Sequence, residues 1–295
     1  MAIEPLPILT AGDAVAPGVA VVRLEQPGRP VVVIDAELLD RLDATLDALP
    51  ADAAGVVFSS ASERAFVAGA DLKAIMALSD AELDDYLARG QRIFGRIANL
   101  PCPTVAAING AALGGGLELA MHCDGLIAAP GAKPYPVGLP EAGLGICPGW
   151  GGTNLLPARI DPTNAIRRTA TGDALLYPDA VEASMFDSVA DGAESLVGTA
   201  AAWVASQSTP ERDGAPSRWV GRAADTVRRA LGDSGVETTA TGRAVAACVA
   251  VGLDKGWQAA LDTEREQLIA LRATDDAQRA IEAFFDRSGA KAGKA

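Results

Sequence analysis

The sequence predicts an α/β core followed by a helical segment. Strand and helix signals alternate over the first 160 residues, the strand signals are short apolar runs, and helical periodicity dominates from Asp161 onward. Val19–Leu24 (VAVVRL) and residues 31–34 (VVVI) are β-branched runs separated by a Pro-Gly turn signal. Residues 35–49 place Leu38, Leu39, Leu42, Leu46 and Leu49 on one helical stripe. A strand-like run at 56–59 follows, then an Ala/Gly-rich loop at 65–71. The amphipathic stretch 80–100 ends at the Pro101-Cys102-Pro103 breaker. Thr104–Ile108 (TVAAI) reads as a strand leading into the glycines at 114–116, and residues 125–129 (GLIAA) as another. Beyond Asp161 the pattern is helical, interrupted by a polar, irregular stretch at 206–217 (SQSTPERDGAPS) and ending in a helix at 275–287. There is no internal repeat, and the chain closes on a short low-complexity tail, GAKAGKA.

Composition narrows the function classes. A formal net charge of −13 opposes nucleic-acid binding, which needs a basic footprint to displace counterions. Cys102, Cys123, Cys147 and Cys248 form no CxxC pair, so neither a zinc site nor a disulfide framework is expected. The first residues show no basic, apolar leader, and no apolar run is long enough to span a membrane. A soluble cytoplasmic protein is the expectation.

The chemistry-bearing residues cluster between 110 and 150. The only histidine, His122, would have to serve any Ser-His or Cys-His arrangement; there is no GxSxG elbow, and its pairing with Glu118 is a weak metal signal. His122 therefore reads as a helix residue without a chemical role. The glycines 110 and 114–116 match neither GxGxxG nor a P-loop. They fit close helix–strand packing, or a helix start whose free N–H groups hold a negative oxygen. Glu118 fits either the helix dipole or a catalytic role. Glu141, also in an apolar, Gly-rich setting (GLPEAGLG), tips the balance. Two isolated carboxylates in a dry pocket would have their pKa values pushed apart, suiting one as base and one as acid.

Three segments carry a resemblance to a known family: RAFVAGADLKAI (64–75), VAAINGAALGGGLELAMHCD (105–124) and GLPEAGLGICPGWGGTNLLPARI (138–160). In order and spacing they resemble the enoyl-CoA hydratase/isomerase, or crotonase, superfamily, and looser agreement covers most of the chain. The resemblance implies a spiral of repeated ββα units over residues 1–205. It also implies a C-terminal helical segment, 206–295, that closes the pocket and builds a homotrimer or dimer of trimers. An acyl-CoA thioester is the implied substrate, with coenzyme A entering as part of it and no metal or other cofactor. By the same resemblance, backbone N–H groups of Ala70 and Gly115 form an oxyanion hole. Ala68, Ala70, Asp71, Leu72, Lys73 and Gly115 contact the CoA ester, although Lys73 also reads as a plain solvated residue. Glu118 and Glu141 match the family's catalytic carboxylates. Both being present favours hydration of a trans-2-enoyl-CoA over 3,2-enoyl isomerisation, which many relatives manage with the second alone, and over a silent acyl-CoA binder. Departures from the family pattern are a longer approach to Glu141 carrying Pro134 and Pro136, expected to reshape the acyl pocket, the bulky Trp150, and a long stretch at 206–241.

Overall fold

The computed structural model describes residues 3–10 and 16–292, with side chains through 287. The last three residues of the low-complexity tail, and part of the leader reading at residues 1–13, lie outside the described residues.

Among the described residues, ten strands form two sheets. One sheet runs β1 (Ile8–Thr10), β2 (Val19–Leu24), β3 (Gly55–Ser60), β5 (Thr104–Ile108), β7 (Gly125–Ala128), β10 (Ser188–Val189) in spatial order. The other runs β4 (Ala65–Val67), β6 (Ala111–Leu113), β8 (Pro136–Gly138), β9 (Leu175–Leu176). Pairings from β2 through β10 in the first sheet are parallel, with Val22 opposite Phe58, Phe58 opposite Ala106 and Ala106 opposite Leu126. β4, β6 and β8 are also mutually parallel. Along the chain β3–β4 and then β5–β6 each lay one strand in each sheet before a helix, and the spiral follows from that alternation. Parallel strands buried between layers are almost wholly apolar, as in TVAAI and GLIA, where every residue is buried.

Several helices begin where the sequence supplies a cap. Asp35 accepts from Leu38 N at 2.8 Å ahead of Ala36–Ala48, which buries Leu38, Leu39, Leu42 and Leu46. Ser79 and Glu82 form a reciprocal capping box at the start of Asp80–Ala98.

Two local expectations are corrected. Residues 31–34 form no strand of either sheet; Ile34 makes a single bridge to Ala70. Ile34 N donates to Gly69 O at 2.8 Å and Asp71 N to Ile34 O at 2.9 Å, so this β-branched run buttresses the 68–71 loop instead. Within the loop expected at 65–71, residues 65–67 are strand β4, fully buried and paired with β6.

The polar stretch 206–217 carries no helix, as its composition indicates, yet it is anchored. Arg212 pairs with Asp124 at 2.8 Å and donates to Leu100 O and Cys102 O, while Asp124 accepts from Thr104 N. The helices Ala240–Lys255 and Trp257–Arg272 pack onto the spiral and share its core. Arg272 then donates to Ile75 O at 2.9 Å and Leu78 O at 2.8 Å and pairs with Asp80. That clamp brings the final helix, Asp275–Ala292, across the mouth of a cavity. All four cysteines are buried and reduced. Among the described residues, no helix is long and apolar enough to cross a membrane, and no three His, Cys, Asp or Glu side chains are arranged to hold a metal.

Candidate active site

The cavity, about 580 Å³, lies between the 68–73 loop, the start of the Gly115–Met121 helix, the turn at 140–150 and the final helix. Its floor is apolar, with Ile75, Leu87, Leu113, Ile146, Trp150 and Leu268 among the lining residues. Every site residue that the resemblance implies lines it: Ala68, Ala70, Asp71, Leu72, Lys73, Gly115, Glu118 and Glu141. Asp71 also caps the Leu72–Ala77 helix, accepting from Ala74 N at 3.1 Å, and Lys73 is exposed at the rim with Arg287. His122 stands apart from the cavity. Its Nδ1 donates to Glu118 O at 2.8 Å, its ring meets Phe94 and Trp257 edge-on, and burial lowers its pKa to about 4, so it is neutral. Pro134 and Pro136 do not reach the lining; Pro140 does.

Among the described residues, the Ala70 and Gly115 amides have no hydrogen-bond partner, and both residues line the cavity. Ile34 bonds to Gly69 O and Asp71 N on either side of Ala70, which turns the Ala70 N–H away from that bridge. Gly115 is the first helical residue, where an amide has no acceptor in its own helix. Gly114 immediately before it has φ +51°, and a Cβ there would sit 2.5 Å from Glu141 Oε1. Glycine is required both for the conformation and for the carboxylate's approach.

The two cavity carboxylates differ in their surroundings. Glu118 is 1% exposed, and its Oε1 accepts from Trp150 N and Gly152 N, each at 2.8 Å. Burial pushes its pKa up, to about 7, while these amides act the other way. Glu141 begins a short turn (Glu141–Leu144), and its Oε2 is enclosed without a hydrogen-bond partner. Burial first, and then the charge of Glu118, raise Glu141 well above the ordinary carboxylate range. Glu118 is thus equipped to carry charge and Glu141 to keep a proton.

A third carboxylate escaped sequence reasoning. Glu264, from the Trp257–Arg272 helix, is fully buried and accepts from Gly151 N at 2.5 Å and Thr153 N at 2.9 Å. A signal existed: Glu264 falls on the helix face that buries Leu261, Leu268 and Leu271, where a charge is out of place. All three carboxyls are raised above the ordinary carboxylate range, so the fold favours their protonated forms. Their contribution to stability is therefore full below about pH 4.5 and is given up as pH rises toward 7 and beyond. Urea midpoints should fall between pH 5 and 8, and the fall should be shallower in Glu264→Gln.

Trp150 supports the whole turn. Only 2% exposed, it packs against Tyr86 and Phe94 and donates from Nε1 to Leu87 O at 3.1 Å. Trp150→Ala should cost about 3–5 kcal/mol, read from urea unfolding.

Two sheets wound as a ββα spiral, with helices packed behind and a cavity at the Gly115 helix start, have the architecture of the crotonase superfamily. The family model described as enoyl-CoA hydratase/isomerase matches residues 15–211, and the chain belongs to that family. Solved structures agree in fold. Human mitochondrial delta3-delta2-enoyl-CoA isomerase is 23% identical, with 98% of this chain and 99% of that chain covered, at a TM-score of 0.70. An enoyl-CoA hydratase from Bacillus anthracis is 24% identical over 96% and 97%, at 0.58, and DspI of Pseudomonas aeruginosa 24% over 96% and 94%, at 0.60.

Proposed function

We propose that the chain is an enoyl-CoA hydratase that adds water syn to a trans-2-enoyl-CoA, giving a 3-hydroxyacyl-CoA. The observation that carries this reading is the contrast between Glu118, held by two amides, and Glu141, enclosed with an unpartnered oxygen, in one cavity. The thioester carbonyl accepts from Ala70 and Gly115 N–H, and these donors strengthen as the carbonyl becomes an enolate, each contributing about 3 kcal/mol. Glu118 takes a proton from water as its oxygen attacks Cβ, and Glu141 gives its proton to Cα. Many 3,2-isomerases of the family manage with the second carboxylate alone, so a first carboxylate held as Glu118 is favours hydration.

The CoA portion lies along Ala68 and the 70–73 stretch, with Lys73 and Arg287 at the rim as cations for its phosphates. No metal or further cofactor takes part in this scheme. Residues 1–205 supply the reacting groups, while residues 206–295 close the cavity and contribute to a homotrimer or dimer of trimers in the cytoplasm. Exposed Leu176, Val181 and Val189 offer apolar surface for that assembly.

A panel of trans-2-enoyl-CoA and 3-enoyl-CoA esters tests the reading. Hydration of the former with little conversion of the latter is the expected outcome; the reverse ranking assigns an isomerase. Because Glu118 acts ionised, kcat/KM should fall as pH drops through about 7.

A further inference from the structure

The turn at residues 149–153 grips two carboxylates at once, and its amides alternate between them. Trp150 and Gly152 donate to Glu118, whereas Gly151 and Thr153 donate to Glu264. The Thr153 hydroxyl also donates to Glu264 Oε1. Glu264 does not line the cavity, so it touches no substrate. A carboxyl is a costly choice for merely bracing a loop in so dry a place, where a neutral group could accept the same bonds.

No cation offsets it among the described residues. The titratable groups that act on it are Glu118 from the 115–121 helix, Glu141 from the turn before the loop, and the Cys147 thiol. Cys147 Sγ donates to the Glu264 backbone carbonyl at 3.8 Å, and Cys248 lies beside Cys147; this pairing first, and then burial, keep Cys147 neutral. Arg265, the neighbour in sequence, is turned away to Asp84 and Gln91.

We propose that Glu264 is a positioning residue that fixes the 149–153 turn against Glu118 and competes with Glu118 for one negative charge. The two acids sit on opposite sides of one pentapeptide, each held by its amides, in a region too dry for both to ionise freely. Burial raises both, Glu264 to about 8, and the charge of Glu118 adds to the rise at Glu264. The consequence for catalysis rests on the hydratase reading, in which Glu118 is the base.

The test is the pH dependence of kcat in Glu264→Gln, which keeps the shape and removes the competing acid. Its acid limb should move to lower pH by about one unit, whatever happens to thermal stability. A limb that stays at the wild-type pH overturns the proposal, because a merely structural glutamate would change kcat or Tm without moving it. Should Glu264→Gln fail to fold, Thr153→Val weakens the hold of Glu264 on the charge, and a smaller shift in the same direction is expected. Infrared titration of glutamate-labelled protein needs no turnover, so it separates failure of the hydratase reading from failure of this one. Glu264→Gln should remove one of the three raised carboxyl steps of the wild type and lower that of Glu118, and Glu118→Gln should lower that of Glu264. Unshifted, independent steps contradict the proposal.

Discussion

Glu118→Gln and Glu141→Gln should each lower kcat for hydration of a trans-2-enoyl-CoA by about 10²–10⁴-fold, with little change in KM. Glutamine preserves the shape at 118 and still offers an oxygen to the amides of Trp150 and Gly152. It cannot take a proton from water. At 141 the enclosed Oε2 has no partner to lose, so the fold tolerates the amide while the proton for Cα disappears. The two variants should differ in their residual pH profiles: the acid limb set by Glu118 vanishes in Glu118→Gln and survives in Glu141→Gln. Retention of full activity by either variant removes that residue from the mechanism. Circular dichroism melts of both proteins accompany the kinetics, because loss through misfolding predicts the same rates with a lowered Tm.

Gly115→Ala carries the second large effect. A Cβ at 115 would lie 2.3 Å from the ring of Trp150 and 3.2 Å from Ile34 Cδ1, so the helix start or the indole has to move. Movement of the helix start takes the Gly115 N–H off the line to the thioester oxygen. Removing one such donor elsewhere costs about 10²–10³-fold in kcat, and a loss of about 10²-fold is expected here. If crowding by Trp150 is the cause, Trp150→Phe in the Gly115→Ala background should recover part of the rate. Additive losses in that double-mutant cycle would show that the two sites do not act through contact.

The large parallel sheet was legible because β2, β3, β5 and β7 are runs of four to six residues whose apolar character is unbroken or nearly so. The second sheet was not, since β4, β6, β8 and β9 are two or three residues each, too short to show any period. VVVI at 31–34 shows the opposite failure: β-branched residues satisfied by burial and a single bridge rather than by a ladder.

The site divides the same way. Glu118 and Glu141 stood out as charges in apolar, Gly-rich settings, whereas the roles proposed for Ala70 and Gly115 fall on backbone atoms that leave no side-chain signature. They came into view through family resemblance, and the structure adds that Ile34 turns the Ala70 amide free. Glu264 lies 113 residues from the glycine it accepts from, so only the folded chain brings it to the 149–153 turn.

The central claim is that this cavity adds water across a double bond with two carboxylates on one face. Its most direct measurement is turnover of crotonyl-CoA by the wild-type protein in ¹⁸O-labelled D₂O, with the product analysed by mass spectrometry and NMR. The account predicts 3-hydroxybutyryl-CoA bearing ¹⁸O at C3 and one deuterium at C2, delivered to the same face. Deuterium exchange or double-bond migration without oxygen incorporation would contradict it.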